Sequence, residues 1–274
     1  MRVLITGSNG QLGSEIKDLA ANYADFNCYF TDSIDLDICN SGTLEHYIKD
    51  NKIEAVINCA AYTAVDKAEQ EAELAKKVNS EGVLNLVNAV AKVNGKLIHI
   101  STDYVFDGNS STPLKENAIT CPLNVYGFSK FAFDNYVRRV LPQVKSQVLG
   151  LRYFNVYGPQ ENHKGRMASV AFHLFQQLQE TGKMKLFEGS RSFRRDFIHV
   201  VDTVKINLHF YDSKTSGIFN AGTGKARSFE DIATTLKSLH GSGEIESIPF
   251  PKDLHGKYQE FTEAGLDKLR AAGY

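Results

Sequence analysis

A tyrosine and a lysine four positions apart, Tyr126 and Lys130, are the residues of this chain best suited to acid–base chemistry. A helix turns once every 3.6 residues, so both side chains would lie on one helix face. A lysine ammonium beside a phenol stabilises the phenolate, which lets the phenol lose or lend a proton near neutral pH. Many ordinary helices carry the same spacing, with an exposed lysine behind a half-buried tyrosine. The rest of the chain has to distinguish these two interpretations.

A hydroxyl residue is predicted to reach the same site as Tyr126. An apolar strand at residues 96–100 is followed directly by Ser101, Thr102 and Asp103. In open α/β sheets the carboxyl ends of the strands face the ligand crevice, so Thr102 would point into it. His99, within the strand, is interpreted as a packed residue rather than a catalyst.

Glycines at the start of the chain predict a dinucleotide site. The apolar run at 3–5 is followed by Gly7, Gly10 and Gly13 in a Gly-x-x-Gly-x-x-Gly pattern, and then by helix-forming residues 14–20. Glycine lets the backbone approach a pyrophosphate, and the helix N-terminus offers free N–H groups and a positive dipole. A plain strand-to-helix turn is the alternative, which the position at the N-terminus makes the weaker one.

An acid follows the second predicted strand, at residues 28–31. Asp32 is placed to bond the adenosine ribose hydroxyls and would repel a 2′-phosphate, which favours NAD over NADP mildly. Asp37 is a candidate for a place beside the adenine, with a turn carboxylate as the alternative.

The alternation of predicted strands and helices along the chain indicates the fold. Buried strands are predicted at 55–61 and 147–152, a long helix at about 67–93 and another helix at about 167–180. A capping box formed by Ser228 and Asp231 predicts the start of a late helix. This alternation indicates an α/β fold, a Rossmann-like doubly wound parallel sheet with right-handed crossovers and a smaller C-terminal lobe.

Two consecutive arginines, Arg194 and Arg195, follow a Gly-Ser turn at 189–190. Guanidinium groups match phosphate oxygens bidentately, so this pair is a candidate clamp for a diphosphate. A surface salt-bridge pair is an equally good interpretation of the local sequence.

Composition disfavours several classes of function. The 274 residues carry a net charge of −1, which provides no global basic field for nucleic acid or anionic lipid. Cys28, Cys39, Cys59 and Cys121 have no metal-ligand spacing, so no metal site is predicted and all are interpreted as reduced thiols. The residues before the first strand are too few for a signal peptide, and no apolar run is long enough to span a membrane. We therefore expect a cytoplasmic protein without nucleic-acid or membrane partners.

The order and spacing of these features resemble the extended short-chain dehydrogenase/reductases that act on nucleotide sugars. The resemblance covers essentially the whole chain but divides within it. Residues 1 to about 120 resemble the dTDP-4-dehydrorhamnose reductases in the segments 7–13, 36–38, 60–69 and 101–108. Residues from about 122 resemble the ADP-L-glycero-D-manno-heptose 6-epimerases in the segments 122–127, 152–159, 163–165, 167–173, 186–190 and 269–274.

This division leads to the hypothesis of a chimera, a reductase-like cofactor half joined to an epimerase-like substrate half between Ala118 and Leu123. The expected domains are an NAD(P)-binding Rossmann domain at 1–155, which includes the catalytic helix, and a lobe at 156–274. That lobe is expected to be mainly substrate-binding, with some segments returning to the Rossmann sheet.

The resemblance implies a bound cofactor, NADP or NAD. Gly7, Gly10, Gln11 and Leu12 are expected at its phosphates. Lys130 is expected at the nicotinamide ribose, where it would also lower the pKa of Tyr126. The further matched cofactor contacts are Asp32, Asp37, Ile38, Ala60, Ala61 and Thr63.

The resemblance also implies a nucleotide-sugar substrate, an ADP-heptose or a dTDP-sugar. Thr102 matches the residue that holds the reacting oxygen, and Lys164 matches a second acid/base that faces Tyr126 across the sugar. Arg166 stands in the pocket where the epimerases usually have a small residue. The matched substrate contacts are Asn155, His173, Phe187, Glu188, Gly189, Ser190, Arg195 and Tyr258.

The implied reaction is redox epimerisation at C6. Tyr126 or Lys164 removes the hydroxyl proton, and the C6 hydride passes to the oxidised nicotinamide. The flat carbonyl intermediate turns, and the hydride returns to its other face. Two opposed acid/bases are needed because the hydroxyl points in opposite directions before and after.

Two alternatives to the epimerase stay open, an NAD(P)H-dependent 4-keto reductase and a folded but inactive chimeric scaffold. The epimerase is favoured because the second half carries the substrate pocket, and the pocket rather than the fold sets function. The reductases' aromatic substrate contact after the fifth strand is missing, since Asn155 stands there. The epimerases continue past Tyr274 with a final helix, so exposed apolar surface is expected near Leu269. A homo-oligomer is expected from the resemblance.

Overall fold

The computed structural model describes residues 1–20, 27–141, 143–252 and 258–274. Its strands are β1 Arg2–Thr6, β2 Asn27–Thr31, β3 Ala55–Asn58, β4 Lys96–Thr102, β5 Gln147–Tyr153, β6 Asn155–Tyr157, β7 Lys183–Phe187, β8 Arg194–His199, β9 Gly217–Ala221, β10 Ala226–Ser228, β11 Glu244–Ile248 and β12 Phe261–Thr262. Its α-helices are α1 Gln11–Ala20, α2 Ser41–Asp50, α3 Val65–Ala68, α4 Ala72–Lys76, α5 Val83–Lys92, α6 Val125–Val140, α7 Val170–Thr181, α8 Val200–Asp212, α9 Phe229–His240 and α10 Asp267–Ala271.

The central sheet is parallel and has six strands in the order β2-β1-β3-β4-β5-β9. Successive residues of its strands enter different core clusters: Val3 and Ile5 lie in one, Leu4 in the other. Helices α1, α8 and α10 contribute to the first cluster, and α2, α5 and α6 to the second. Burial on both faces explains why the strands read as continuous apolar runs. The predicted doubly wound parallel sheet is confirmed.

Strand order determines where a ligand would bind. The chain runs from β1 outward to β2 and then crosses to β3 on the other side of β1. Such a reversal opens a crevice at the carboxyl ends of the strands. The glycine loop after β1 and the residues after β3 and β4 all lie at this edge.

The long helix predicted at about 67–93 is wrong. The segment contains α3, α4, a π-helical turn at Lys77–Gly82 and α5. Asn79, in the π-helical turn, exchanges hydrogen bonds with the main chain of Tyr62 at 2.9 Å and donates to the Ser129 hydroxyl at 2.9 Å. π-Helical turns are frequent at functional sites, and this one connects the segment after β3 with α6.

The C-terminal lobe is built on β8, which pairs with β10, β12 and β6, while β7 and β11 form a separate pair. Helices α7 and α9 pack on it around an aromatic-rich cluster. The predicted capping box is confirmed at the start of α9, where Ser228 and Asp231 exchange hydrogen bonds. The helix predicted from about 167 begins later, at Val170, because Ser169 caps it by accepting from the Phe172 N–H.

The prediction that apolar surface is exposed near Leu269 is wrong. Leu269, in α10, is only 2% exposed and belongs to the core cluster beneath the sheet. The Lys268 ammonium anchors α10 by donating to the Ile218 carbonyl at 2.6 Å. Among the helices that the structure describes, none is long and apolar enough to cross a membrane.

Candidate active site

Helix α6 carries both residues of the acid–base pair to the end of β4. Asn124 caps the helix by accepting from the Gly127 N–H at 2.7 Å. Gly127 lies against the next element: a Cβ there would stand 2.5 Å from the Tyr104 carbonyl oxygen. Only glycine therefore allows the first turn of α6 to approach the segment after β4 this closely.

Lys130 is buried, with 2% of its surface exposed, and its Nζ donates to the Ile100 carbonyl at 2.9 Å. Burial lowers the pKa of this lysine to about 8, and the nearby Asp134 carboxylate and Cys59 thiol act in the opposite direction. Burial also raises the pKa of Cys59 to about 12, so this thiol is neutral at physiological pH.

The Tyr126 phenol differs from the sequence expectation. Its pKa is raised, chiefly by burial and then by the neighbouring Tyr104, whose ring lies 5.6 Å away in an edge-on arrangement. A hydrogen bond from the Thr102 side chain lowers it, which places Thr102 at the phenol as predicted. The predicted lowering by Lys130 is not found, because that ammonium is directed at Ile100. In this arrangement the phenol is a proton donor rather than a phenolate.

The glycine loop has the geometry that a dinucleotide needs. Gly7 has φ +61°, and a Cβ on it would lie 2.6 Å from the Ala60 nitrogen, so the loop packs directly on the residues after β3. A Cβ on Gly13 would lie 2.5 Å from the Gly7 oxygen, which lets α1 start close to the strand. Among the described residues, the N–H groups of Gln11 and Leu12 have no protein acceptor. These free donors at a helix N-terminus fit a pyrophosphate.

The other predicted cofactor residues lie around the glycine loop and differ in how far they are exposed to solvent. The Asp32 carboxylate accepts the N–H groups of Asn9 at 3.1 Å and Ser33 at 2.7 Å. Asp37 is exposed and caps the Cys39 N–H at 2.9 Å. Ala60 and Ala61 are half-buried beside the loop, and Thr63 is exposed.

One predicted cofactor residue belongs to the core. The Ile38 side chain is 4% exposed and packs in the core cluster between the sheet and α5. The predicted Ile38 contact is therefore not a side-chain contact, because that side chain is enclosed by neighbouring apolar groups.

Lys164 lies in a 3₁₀ segment, Asn162–Met167, and its ammonium donates to the Gln11 side chain. The Gln11 amide in turn donates to the Pro159 carbonyl at 3.0 Å, so this residue ties the glycine loop to the substrate side. Glu161 lies 3.7 Å from the lysine, and burial lowers the lysine pKa. The structure thus places Lys164 at the cofactor loop, not in contact with Tyr126.

Three of the predicted substrate residues, Asn155, Arg166 and His173, lie on three different elements. Asn155, in β6, donates to the Asp103 carboxylate at 3.2 Å and so lies beside Thr102. Arg166 is 92% exposed at its side chain and reaches Asp66 at 3.8 Å. His173, on α7, has its Nε2 3.4 Å from the Arg166 carbonyl oxygen.

Four other predicted substrate residues, at 187–190, form a turn on the C-terminal lobe. Phe187 ends β7 and stacks edge-on against Phe250 at 5.5 Å. The Ser190 N–H donates to the Phe187 carbonyl at 3.0 Å, with Gly189 at φ +81° and Glu188 exposed between them. All four predicted residues are therefore together.

The prediction that Arg194 and Arg195 together clamp a diphosphate is wrong. Successive strand residues point to opposite faces, so β8 directs Arg194 outward and Arg195 inward. Arg195 is 5% exposed, donates to the Gln259 carbonyl, and lies 5.2 Å from the Tyr258 ring. Arg195 and Tyr258 are thus brought together as predicted for the substrate side, without Arg194.

Sequence reasoning did not include Asp103, a buried carboxyl, among the site residues. Asp103 is 2% exposed, and burial raises its pKa to about 6 while Arg195 opposes the shift. Perturbed carboxyls are frequent at functional sites. Its place directly after Thr102 was the available signal. The amide of Gln259 donates to the Asp103 and Phe106 carbonyls at 3.2 and 2.8 Å. No sequence signal indicated this contact, because Gln259 lies far from Asp103 along the chain.

Among the described residues, no group of three or more histidine, cysteine, aspartate or glutamate side chains is arranged to hold a metal ion. The site chemistry visible in the chain is therefore that of the tyrosine, the lysines, the buried carboxyl and a dinucleotide cradle.

Comparison with known proteins supplies the context for this geometry. Residues 1–182 match the family model described as the RmlD substrate binding domain. The chain is 43% identical over 99% of its length, and over 92% of the relative, to an ADP-L-glycero-D-manno-heptose-6-epimerase of Brachyspira hyodysenteriae.

Two solved structures are similar across nearly the whole chain. An ADP-L-glycero-D-manno-heptose-6-epimerase of Helicobacter pylori has a TM-score of 0.85 and 27% identity, covering 97% of this chain and 88% of its own. A dTDP-4-dehydrorhamnose reductase of Bacillus anthracis in complex with NADP has a TM-score of 0.86 and 25% identity, covering 100% and 93%. The chimera hypothesis has no support here, because a single relative matches both sides of the suggested join.

Proposed function

The chain belongs to the RmlD substrate binding domain family, and from that premise we propose that it is an NAD(P)-dependent epimerase of ADP-heptose at C6. The observation that carries the proposal is the 43% identity to a heptose-6-epimerase over 99% of the chain. The segments of both acid–base candidates, α6 and 162–167, lie within that match. The inactive-scaffold alternative depended on a join between two parents and loses its basis with it.

The cofactor would be held at the carboxyl edge of the sheet. The free N–H groups of Gln11 and Leu12 would receive the pyrophosphate, and Asp32 would accept a ribose hydroxyl. Lys130 would bond the nicotinamide ribose through its ammonium. Bound NAD(P) would supply the acceptor and donor of the C6 hydride. The Asp32 carboxylate favours NAD, whereas the similar reductase binds NADP, so either coenzyme is consistent with the proposal.

Proton handling at C6 is assigned to Tyr126 and Lys164. Thr102 would hold the reacting oxygen beside the phenol, and Tyr126, whose phenol is protonated, would give a proton to the C6 oxygen when the hydride returns on that side of the sugar. Lys164 would take the hydroxyl proton on the opposite side, and for this it must leave the Gln11 side chain. Its lowered pKa favours such a role, because a lysine that titrates closer to neutrality exchanges protons more readily. Asn155 and Asp103 are placed to orient the sugar hydroxyls near Thr102.

A 4-keto reductase is the second candidate, and one observation favours it. Lys164 contacts Gln11 instead of facing Tyr126, which leaves Tyr126 with Thr102 and Lys130 as the acid–base set. One proton donor suffices for a reduction, whereas epimerisation needs two on opposite faces.

The deciding experiment supplies ADP-D-glycero-D-manno-heptose to the purified protein and follows the configuration at C6 by NMR. Inversion without net consumption of NAD(P)H supports the epimerase. Stoichiometric loss of NAD(P)H on adding a dTDP-4-keto-6-deoxy sugar, with no inversion of the heptose, would replace it with the reductase. A homo-oligomer stays a prediction from resemblance.

A further inference from the structure

Three side chains of α6, each one turn apart, meet three consecutive residues at the end of β4. The Thr102 side chain lies within hydrogen-bonding reach of the Tyr126 phenol, Lys130 donates to the Ile100 carbonyl at 2.9 Å, and Asp134 accepts from the Ser101 hydroxyl at 2.9 Å. Positions 126, 130 and 134 share one helix face because they are four residues apart. The helix is therefore attached to the strand at the two residues of the acid–base pair and at one residue beyond it.

Asp134 is the most enclosed of these contacts. Its side chain is 0% exposed, and its second carboxylate oxygen accepts from Arg152 Nε at 2.7 Å, also 0% exposed. Arg152 is fixed independently, since its Nη1 donates to the Glu116 carbonyl at 3.1 Å and its guanidinium lies 5.0 Å from the Phe106 ring. Asp134 is thus paired directly with the buried Arg152, and its charge also favours the ammonium of the buried Lys130.

The charge of Lys130 depends on its neighbours. The described titratable groups that face it are Asp134 on α6, Cys59 after β3 and His99 in β4. Burial raises the pKa of the Cys59 thiol and lowers that of His99 well below its usual value, so both are neutral near pH 7. Asp134 is therefore the neighbour whose charge favours the ammonium.

We propose that Asp134 is a positioning residue that keeps Lys130 protonated and holds α6 in register on β4. It contacts neither the substrate nor the cofactor site and acts through Lys130 and Ser101. Loss of its charge leaves Lys130 and Arg152 as two buried cations without its compensating charge. The importance of this residue for turnover rests on the proposed function, whereas its effect on Lys130 does not.

The test measures the titration of Lys130 directly, by NMR of the ¹⁵N-labelled lysine Nζ in the whole protein, with the signal assigned by Lys130→Met. In Asp134→Asn the midpoint is expected to fall by about one pH unit, because an opposite charge nearby is lost. Ser101→Ala keeps the charge, so its midpoint is expected to stay within about 0.3 unit while turnover falls. NADP affinity against pH should shift with the Lys130 midpoint.

Asp196→Asn is the matched control, since Asp196 is an equally buried carboxylate that binds Thr223, Gly224 and Ala264 away from Lys130. It should destabilise the protein without moving the Lys130 midpoint. If Asp134→Asn does not fold, the double variant D134N/R152M removes both buried charges and should give a smaller downward shift, because the Arg152 cation that disfavours the Lys130 ammonium is lost as well.

An unchanged Lys130 midpoint in the folded variant overturns the proposal. A shifted midpoint in a protein that never inverts ADP-heptose leaves this proposal standing and refutes the proposed function instead. The two failures are therefore distinguishable.

Discussion

The two acid–base candidates are held in different ways. On the Tyr126 side, formed by Thr102, Tyr126 and Lys130, the helix is attached to β4 by contacts among buried groups. On the Lys164 side, formed by the 3₁₀ segment Asn162–Met167, none of the residues is buried, and Lys164 makes one hydrogen bond across to Gln11. One side is built into the core, and the other rests on its surface.

This difference corresponds to the demands on each side. Under the proposed function, the Tyr126 side has to hold a reacting oxygen close to a nicotinamide, where small displacements cost much of the rate. The Lys164 side would have to admit a sugar and let it turn, which requires a segment that can move. Gly165, at φ +52° with nothing within 4 Å of a Cβ built on it, lies in the middle of that segment. The packing thus concentrates rigidity where proton and hydride transfer converge.

The largest loss of activity is expected when the Tyr126 phenol is removed. Tyr126→Phe removes the proton donor without changing the shape of the helix face. We expect activity to fall by about 10³-fold, within the range measured for general acid–base groups. Turnover is measured by NMR of C6 and NADP binding by calorimetry, with binding expected to stay unchanged. Retention of more than a tenth of the activity would assign proton transfer elsewhere.

Substitutions on the Tyr126 side and on the Lys164 side should also differ in their effect on the free energy of unfolding. Arg152→Met leaves the Asp134 carboxylate buried and unpaired, which we expect to lower the free energy of unfolding by about 3–5 kcal/mol. Arg166→Met is the matched control, because its pair with Asp66 is largely exposed, and it should cost less than about 1 kcal/mol. Urea unfolding measures both. Equal losses would mean that the buried pair does not hold the Tyr126 side.

The buried carboxyl next to Thr102 gives the Tyr126 side a pH dependence. The pKa of Asp103 is about 6 in the folded chain and about 3.9 when unfolded, so the folded state binds the proton more tightly. Stability contributed by this group is therefore present below about pH 4 and is lost as pH rises to about 6, by up to about 3 kcal/mol.

Asp103→Asn should remove that loss. Unfolding free energies of both proteins measured from pH 4 to pH 7 are expected to differ by an amount that changes across this window. Parallel curves would show that the folded carboxyl titrates normally.

Lys164 gives the smallest expected effect and the sharpest distinction between the two candidate activities. Lys164→Ala should slow C6 epimerisation by about 10²-fold, because one face of the sugar loses its acid/base. NADP affinity and the melting temperature should change little, because Lys164 lies in a segment without buried residues and its hydrogen bond to the Gln11 side chain does not involve the Gln11 and Leu12 N–H groups. Lys185→Ala, an exposed lysine of β7, is the control. Unchanged turnover would favour the reductase, which needs one proton donor.

Local patterns predicted the fold well, because the first five parallel strands are apolar on both faces and alternate with segments of helical pattern. The glycine loop, β4 with Thr102, and α6 with Tyr126 and Lys130 all lie where the sequence placed them. The long helix at 67–93 failed because tertiary contacts of Asn79 with Tyr62 and Ser129 favour a π-helical turn over continued α-helix. Helix periodicity contains no information on such contacts.

The sequence by itself determined the class of a doubly wound parallel fold, the spacing of the candidate acid–base pair and the resemblance to nucleotide-sugar enzymes. Only the tertiary structure decided the charge and direction of each group. It turned Lys130 toward Ile100 and set Lys164 on Gln11. It also separated Arg195 from Arg194 and raised the pKa of Asp103. The physical reason is that spacing along a chain specifies which face a side chain occupies. Burial and partners come from elements distant in sequence, and they determine the protonation state of that side chain and the direction of its hydrogen bonds.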